Sequence, residues 1–527
     1  MLAACLGALA LLPATGAADE AEVVYDPATV SVVDLQLPQA AIEALEADPE
    51  GAYQKGTFSF ARSDGSPDGV GTFSAPQEVE VRLKGSASFR PLDTGKSAFK
   101  LKFPKAGPFF GLRKMTLNNM VEDPSMTHET LAFALHRALG VPASRTGFVY
   151  LKINGEHFGV YMDVENYDKV AMAKKLGAFD DDVQHVYEGE NGADLEPGRV
   201  ADFELDEGPG DISDLEGLAA AVTDPDPEPW STAVGARADL EEMTRMWAAE
   251  KYSGQFDGYA GGPAPDHPNN YFLATGTDGL FRMLPWGQDE TWKEENHLPF
   301  DGEAGLMFEG CLADNACEAL YEGALETLQT TVPTLKLDQM AVCTAEMLAP
   351  WQQLEEEEST RFEYDAGEIS DAVAETRSFI ASRPDELADF LGNAGPTQPA
   401  PVDSCPADEP EVPIVTSLVQ MPPPTEQGVA VKAATLGHVA RKGKRLRVGV
   451  FSPAAGSLKL TAKTTGRRGT LVCSSRTTVA AGTTTLSCRL SRAAIEALED
   501  GPLRLVIRVH VPTDPEPLTR QARLPRL

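Results

Sequence analysis

A stretch rich in proline and acidic residues, residues 396–426, limits the possible folds of this 527-residue chain more than any other part of it. The stretch ends in Pro422-Pro-Pro424, and such a composition is typical of an extended linker. Because linkers of this kind separate folded units, the sequence predicts a large domain before it and a small domain after it. The chain is long enough for several domains and for a sizeable core.

The part before the linker, residues 25–395, mixes strand-like and helix-like patterns and therefore predicts an α+β domain. Residues 30–37 and 78–83 alternate apolar and polar side chains, as strands do. Two further strand patterns meet at Asn154-Gly155, a strong signal for a two-residue hairpin turn. The acidic, glycine-rich residues 188–216 predict a loop, with a cation site as the alternative.

Helical patterns occur in both halves of this domain and dominate the second. They cover residues 125–139, residues 238–252 and much of residues 318–392. Within the last range, we expect a separate helix to begin at Pro384, since proline is tolerated at a first helical position but not in a helix interior.

Residues 427–527 carry short alternating runs separated by turn residues, which predicts a small all-β domain of the Ig-like sandwich type.

Charge is distributed unevenly along the chain. From Val429 onward there are 18 Lys and Arg against 5 Asp and Glu, so the rest of the chain has a net charge of −48 against −35 for the whole. The simplest explanation for the acidic first part is that its charge keeps an exported protein soluble. The same charge can also attract cations or a basic, Ser/Thr-rich protein substrate, while the basic domain suits an anionic cell-surface polymer. We expect no nucleic acid as a partner.

The N-terminus resembles the end of a signal peptide, with residues 1–18 as the leader. An apolar run ends in small residues just before Asp19. The run has no positively charged start, which favours a truncated leader, and it follows Cys5 rather than preceding it, which argues against lipidation there. No later stretch has the apolar length of a membrane helix, so we expect a secreted or envelope-associated protein without an integral membrane segment.

Six cysteines follow the leader, and an even number in an exported protein favours disulfides. We predict the pairs Cys473–Cys488, Cys311–Cys317 and, by elimination, Cys343–Cys405. A zinc site is the weaker alternative, because no Cys-x-x-Cys pair occurs and no histidine clusters with these thiols.

Residues 257–292 hold three side chains that suit phosphoryl transfer. Asp257 is a candidate base that accepts a hydroxyl proton, while Asn270 and Asp289 are candidate oxygen ligands of Mg²⁺. In each case an ordinary role competes with the catalytic one: Asp257 as a turn residue before Gly258, Asn270 as a backbone-bonding turn residue, and Asp289 as a solvated loop carboxylate.

A cluster of lysines lies upstream. Lys96, Lys100 and Lys102 are spaced by even numbers of residues, so one continuous strand would project them from the same face, where they would neutralise phosphates. A solvated strand face is the alternative. Arg82 and Lys84 extend the same surface, and the chain contains no Walker A glycine loop.

Taken together, these segments resemble the spore-coat protein H (CotH) kinase family over residues 25–395. The resemblance is carried by residues 81–88, 96–103, 117–125, 155–165 and 257–292, which follow the family's order. It implies an atypical protein-kinase-like, two-lobed domain that transfers phosphate from ATP to Ser or Thr of proteins, with Mg²⁺.

The resemblance also implies roles for single residues. Asp257 matches the catalytic Asp, Lys96 the phosphate-contacting Lys and Asn270 the metal-binding Asn, while Glu165 belongs to the segment joining the lobes, beside the nucleotide. Many members read Pro-Trp-Asp where this chain has Pro285-Trp286-Gly287, so that either Asp289 serves as the ligand instead or metal binding is weakened. The sequence thus predicts an exported Ser/Thr protein kinase. The alternative is a secreted or surface binding protein with the same fold and weak or no catalysis.

Overall fold

The computed structural model describes most of the chain, in the ranges 20–85, 88–174, 183–189, 192–224, 229–261, 268–302, 305–406, 435–442, 445–452, 456–464, 471–479, 482–500, 503–510 and 518–524. The predicted signal peptide and residues 407–426 of the predicted linker lie outside these ranges, so the domain limits stay predictions. The described residues form a mixed α+β structure, as the sequence predicts. None of their helices combines the length and apolar character that a membrane crossing requires.

Seven strands in the first part of the chain close into a barrel with the order β1-β2-β3-β4-β5-β7-β6. Strands β1 and β6 close it as a parallel pair, whereas the other neighbours are antiparallel. The strands are β1 (Val30–Gln36), β2 (Gln54–Arg62), β3 (Gln77–Lys84), β4 (Ala98–Lys102), β5 (Lys114–Asn118), β6 (Thr146–Ile153) and β7 (Glu156–Val164). Helix α1 (Gln39–Ala47) follows β1, and α2 (His128–Ala138) lies between β5 and β6.

Along each barrel strand, side chains point alternately into the barrel and away from it. In β3 the buried residues are Val79, Val81 and Leu83, so Lys84 projects from the outer face. In β4, Lys100 and Lys102 project outward in the same way. The prediction that Lys96 shares this face is wrong, because Lys96 precedes β4 and is itself buried.

The predicted hairpin between β6 and β7 is confirmed. Asn154 and Gly155 have φ values of 53° and 84°, the left-handed conformation that a two-residue hairpin turn requires and that Asn and Gly adopt most readily. The side chain of Asn154 also exchanges hydrogen bonds with the backbone N–H and C=O of Leu37. This local signal needs no tertiary partner, which is why the sequence alone suffices to find it.

A second, four-stranded sheet has the order β11-β10-β8-β9. Its strands are β8 (His185–Gly189), β9 (Glu204–Glu207), β10 (Tyr271–Thr275) and β11 (Phe281–Pro285). The other helices of this part of the chain are α3 (Lys169–Lys174), α4 (Ser213–Val222), α5 (Trp230–Gly235), α6 (Leu240–Ser253), α7 (Leu306–Ala313), α8 (Asn315–Leu335), α9 (Leu337–Glu358) and α10 (Ala366–Leu391). Five short 3₁₀ segments complete the described first domain: Glu20–Val23, Pro67–Gly69, Val200–Asp202, Gln288–Glu290 and Glu294–Asn296.

The loop predicted for residues 188–216 is only partly correct, because β9 and the start of α4 fall within it. Strand β9 contains a single apolar residue, Leu205, and so gives no strand pattern. Its conformation comes instead from backbone pairing with β8. Such an edge strand depends on a partner that only the fold supplies.

The predicted helix start at Pro384 is wrong, because α10 continues through this residue. The helix begins with a capping box at Asp365 and Glu368 and ends at Gly392 in the left-handed conformation. An internal proline costs roughly 3 kcal/mol. Apolar residues on both sides of it, among them Phe379 and Leu387, are buried in the helical core and offset this cost.

All three predicted disulfides are present: Cys311–Cys317, Cys343–Cys405 and Cys473–Cys488. The last belongs to the C-terminal domain, where the sheets β12-β13-β16 and β15-β14-β17-β18 share one apolar core. Its elements are β12 (Thr435–Lys442), β13 (Arg445–Ser452), β14 (Gly456–Thr464), β15 (Leu471–Val479), β16 (Gly482–Arg489), α11 (Arg492–Asp500), β17 (Leu503–His510) and β18 (Leu518–Leu524). Two sheets on one core form a β-sandwich, and its closer likeness to Ig-like domains stays a prediction.

Glu242 makes the stability of the first domain depend on pH. One carboxylate oxygen accepts a hydrogen bond from Met283 N at 3.1 Å and joins α6 to β11, while the other is buried without a partner among the described residues. Burial raises the pKa of Glu242 from 4.5 to about 8, and the Met283 hydrogen bond only partly opposes this rise. The folded state therefore holds a proton that the unfolded chain releases above about pH 4.5, so this contribution to stability is lost as pH rises towards 8.

We predict that Glu242→Gln removes this pH dependence. Since one pKa unit corresponds to about 1.4 kcal/mol, the variant should gain several kcal/mol relative to wild type between pH 5 and pH 8. Urea unfolding at pH 5, 6.5 and 8 measures the difference, with the exposed neighbour Glu241→Gln as control. Parallel stability curves for wild type and Glu242→Gln would contradict the proposed protonation.

Candidate active site

The loop that carries Asp257 follows α6 and is held by a buried carboxylate. Helix α6 ends at Gly254, whose φ of 71° turns the chain back towards the helix. The Glu250 carboxylate then accepts hydrogen bonds from Tyr259 N at 3.2 Å and Ala260 N at 2.7 Å. A Cβ atom on Gly258 would lie 2.6 Å from Glu250 Oε1, so the loop needs a glycine directly after Asp257. The Asp257-Gly258 turn therefore depends on the Glu250 carboxylate, and the same contacts fix the position of Asp257.

Two amides orient the Asp257 carboxylate. Asn270 Nδ2 donates to Asp257 Oδ2 at 2.7 Å and to the Asp257 carbonyl oxygen at 3.1 Å. Asn269 Nδ2 lies 3.2 Å from Oδ1 and 3.1 Å from Oδ2. Asn270 has a left-handed φ of 52° just before β10, a conformation that asparagine tolerates better than most residues. The carboxylate remains half-buried at the surface, oriented and accessible.

Gly287 lies against the same asparagine. Its φ of 47° favours glycine, and a Cβ atom here would approach Asn270 Oδ1 to 2.5 Å. Its carbonyl oxygen accepts a hydrogen bond from Gln255 Nε2 at 2.6 Å, and Trp286 N donates to Asn270 O at 3.0 Å. An aspartate at position 287, as the family resemblance leads one to expect, would thus require Asn270 to move. The local packing around Asn270 therefore favours glycine, rather than the expected aspartate, at position 287.

Asp289 lies two residues further on, in a short 3₁₀ segment after β11. Burial raises its pKa to about 6, the nearby Glu290 carboxylate adds to the rise, and Lys84 opposes it. Its carbonyl oxygen is bound to His128 Nδ1 at 2.8 Å, which ties this segment to the first residue of α2. The next residue of α2, Glu129, is buried close enough to Asp289 for the charge of Asp289 to raise its pKa.

Lys84, Asn118 and Glu129 form a hydrogen-bonded chain that the sequence does not predict. Lys84 Nζ donates to Asn118 Oδ1 at 2.6 Å, and Asn118 Nδ2 donates to Glu129 Oε2 at 2.8 Å. Burial raises the pKa of Glu129 to about 7, the charge of Asp289 adds to the rise, and the Asn118 hydrogen bond and Lys84 oppose it. Burial lowers the pKa of Lys84, although Glu129 favours its charged form.

This donor set fits a divalent cation by its chemistry. Glu129 Oε1 is buried without a hydrogen-bond partner among the described residues, next to the carboxylate of Asp289. Carboxylate and amide oxygens are the ligands that Mg²⁺ prefers, so Asp289 and Asn270, joined by Glu129, are the residues that would hold it. The described residues contain no group of three or more His, Cys, Asp or Glu side chains in a metal-binding arrangement. A cation here would depend on additional ligands such as phosphate oxygens.

Lys96 lies elsewhere. Its ammonium pairs with Glu355 Oε1 at 2.7 Å, with the Lys96 side chain 1% exposed and that of Glu355 4% exposed. Glu355 Oε2 also accepts from Val160 N at 2.7 Å, and the Lys96 carbonyl oxygen accepts from Asn119 Nδ2. This pair joins the segment before β4 to α9 and β7, so it holds these elements of the fold together. The phosphate-contacting role of Lys96 stays a prediction, while Lys84 is the more accessible lysine.

Glu165 is also enclosed. Arg145 Nε and Nη2 donate to its two carboxylate oxygens, each at 2.8 Å, and the side chain is fully buried. Its carbonyl oxygen accepts from Ser144 Oγ, and its N–H donates to Arg145 O. These partners anchor the end of β7 where the chain leaves the barrel. Its predicted place beside a nucleotide stays a prediction, with the carboxylate already engaged by Arg145.

A cavity of about 920 Å³ opens on the outer face of the barrel, further along the surface that carries Lys84 and Lys100. Lys102 and Lys114 line it together with Asp168 and Glu207. Lys114 Nζ also lies 3.2 Å from Asp206 of β9, so an ion pair bridges barrel and second sheet at this point. The volume lies in the range of small-molecule and cofactor sites.

A family model described as CotH kinase protein matches residues 81–387, more than half of the chain. The chain belongs to the CotH kinase protein family. The matched CotH region contains the residues of this site, from Lys84 to Asp289, and also the Lys96–Glu355 pair.

The chain is similar to inner spore coat protein H of Bacillus subtilis, with 25% identity over 232 residues that cover 42% of this chain and 60% of that protein. It is also similar to invasin CotH2 of Rhizopus delemar, with 25% identity over 261 residues that cover 44% of each. An inner spore coat protein H-like protein of Bacillus subtilis is 31% identical over 72 residues, 14% of this chain and 23% of the relative. The chain thus spans about 60% or less of the relatives it matches.

We predict that Lys96 acts through stability. Lys96→Met leaves Glu355 buried without its cation and should lower the free energy of unfolding by about 3–5 kcal/mol. The double variant Lys96→Met/Glu355→Gln should recover much of the loss, since glutamine can still accept from Val160 N. Urea unfolding measures both, with the exposed Lys105→Met as control. Wild-type stability of Lys96→Met would favour the phosphate-contacting role instead.

Proposed function

We propose that this protein is an exported, CotH-type Ser/Thr protein kinase that transfers the γ-phosphate of ATP to a protein hydroxyl. The observation that carries the proposal is the convergence on Asn270 of the Asp257 carboxylate and the turn at Gly287, with Asp289 two residues beyond. Kinases need such a set: a carboxylate near the substrate hydroxyl, and an amide and a second carboxylate near the nucleotide phosphates. In this proposal the barrel and the helical part act as the two lobes.

Asp257 is the proposed base. The substrate hydroxyl gives its proton to the Asp257 carboxylate while its oxygen forms a bond to the γ-phosphorus, and the bond to the β–γ bridging oxygen breaks as ADP leaves with the electron pair. The hydrogen bonds from Asn269 and Asn270 hold the carboxylate in place for this transfer. Mg²⁺, when bound, supplies positive charge to the phosphate oxygens.

Lys84 is the proposed phosphate-contacting cation. It lies on the outer face of β3, half-buried, with Glu129 and Asp289 close enough to favour its charge. Its hydrogen bond to Asn118 and the link from Asn118 to Glu129 keep the ammonium in position before a substrate arrives. Such preorganised charge is a major source of rate enhancement in enzymes.

Export and a protein substrate belong to the same proposal. Three disulfides support an oxidising environment. The names of two relatives refer to an inner spore coat and to an invasin. The acidic first domain would attract a basic, Ser/Thr-rich protein.

A binding or adhesion protein without catalysis is the second candidate, and Gly287 is the observation that favours it. Because Asn270 fills the space where an aspartate side chain would lie, the metal would depend on Asp289. The two candidates differ in whether ATP is turned over.

We predict that Asp289→Ala and Asp257→Ala each abolish Mg²⁺-dependent phosphate transfer from radiolabelled ATP, the first through loss of the metal ligand and the second through loss of the base. The exposed Asp385→Ala is the matched control and should keep wild-type activity. Retained turnover in Asp289→Ala would remove that residue from the metal site. Identical background in wild type and Asp257→Ala would end the kinase proposal and leave the binding protein.

We predict that Lys84→Met lowers phosphate transfer at least 100-fold, the usual effect of removing one preorganised charge, with a small change in thermal stability. Lys152→Met, at a half-buried position on β6 outside the cavity, should leave both quantities unchanged. Activity in Lys84→Met close to wild type would return the phosphate-contacting role to another lysine.

A further inference from the structure

The strands of the C-terminal domain carry positive charge without any negative charge. The seven strands β12 to β18 contain twelve Lys and Arg residues, and none of their residues is Asp or Glu. In the described part of this domain, the acidic residues are Glu496, Glu499 and Asp500, all in α11. The strands therefore form a purely cationic scaffold attached to a strongly acidic protein.

Strand register places half of these cations on one surface. In β14 the buried residues are Leu458, Leu460 and Ala462, so Lys459 and Lys463 point outward and are exposed. Directly opposed residues in antiparallel strands share a face. The outer face of β15-β14-β17-β18 thus holds the positions of Lys459, Lys463, Arg476, Arg504, Arg508 and Arg523.

The spacing on this face is regular. Neighbouring strands are about 5 Å apart, and residues two apart along a strand are separated by about 7 Å. Arg508 opposes Thr461, which lies between Lys459 and Lys463 on β14, and Arg504 opposes Arg523 on the next strand. A regular array of this kind can contact successive anionic groups of a linear polymer.

We propose that the outer face of the β15-β14-β17-β18 sheet binds a linear anionic glycopolymer of a cell surface, one with repeating phosphate or carboxylate groups. Charge complementarity supports the polyanion. The four strands contain no Phe, Tyr or Trp, so the face offers neither a base-stacking platform for single-stranded nucleic acid nor aromatic anchors for a membrane. The Cys473–Cys488 disulfide fits an oxidising location, where such polymers occur.

The full-length protein, which carries a net charge of −35, makes the test demanding, because the molecule as a whole repels polyanions. Binding to immobilised poly(glycerol phosphate) is measured at 50, 150 and 500 mM NaCl for wild type and two matched variants. K459Q/K463Q/R508Q removes three cations from the proposed face. R445Q/R447Q/R489Q removes three from the outer face of β12-β13-β16, as placed by register. Both lose the same net charge.

We expect wild type to bind with an affinity that falls steeply with salt, since exposed charges are screened within about 10 Å at 0.1 M. K459Q/K463Q/R508Q should lose at least tenfold in affinity at 50 mM NaCl, whereas the control triple variant should stay within threefold. The charge-preserving K459R/K463R/R508K should bind like wild type, and thermal melts of all variants confirm that they are folded.

Several outcomes would overturn the proposal. Equal losses in both triple variants would mean that net charge matters rather than this face, and absent or salt-independent binding would leave the domain as a structural appendage. Tighter binding to duplex DNA or to phosphatidylglycerol vesicles of equal charge would assign the face to nucleic acid or membrane. Salt-sensitive self-association that disappears in K459Q/K463Q/R508Q would identify the acidic body of a second copy as the occupant.

Discussion

The candidate site depends on the hydrogen bond between Asn270 Nδ2 and Asp257 Oδ2. This bond orients the carboxylate, and the same asparagine packs so closely against Gly287 that a side chain at position 287 would require Asn270 to move. Three neighbouring segments of the chain, the loop after α6, the start of β10 and the turn after β11, therefore meet at one amide. Loss of that amide would leave the Asp257 carboxylate with Asn269 alone and would remove the close contact at Gly287.

Around this amide the charges are arranged in compensating pairs. The charge of Asp289 raises the pKa of Glu129, the charge of Glu290 raises the pKa of Asp289, and Lys84 opposes both rises. The pairs Lys96–Glu355 and Arg145–Glu165 are buried deeper and connect elements of the framework. Buried pairs of this kind are costly to break one partner at a time, which makes them effective at holding a unique arrangement. The charges nearer the surface remain available to contact a ligand.

Local patterns predict local structure well here. The Asn154-Gly155 turn and the helix covering Leu240–Ser253 follow from turn chemistry and from apolar spacing, which act over a few residues. Errors arise where a distant partner outweighs a local preference. Strand β9 exists because β8 pairs with it, and α10 passes through Pro384 because its flanking residues are buried. Lys96 has a spacing that suits a phosphate-facing strand, yet Glu355, more than 250 residues away, takes its charge into the interior.

By itself the sequence determined the α+β character, the even number of cysteines available for disulfides, the family resemblance and the order of Asp257, Asn270 and Asp289, because composition, cysteine number and short motifs are properties of the linear chain. Only the tertiary structure decided which charges share a site. Glu129 gives no local signal, and Lys84 is one of several strand lysines, but barrel closure and the position of α2 bring both to Asp289. Electrostatic interactions act through space, so their partners depend on the fold rather than on distance along the chain.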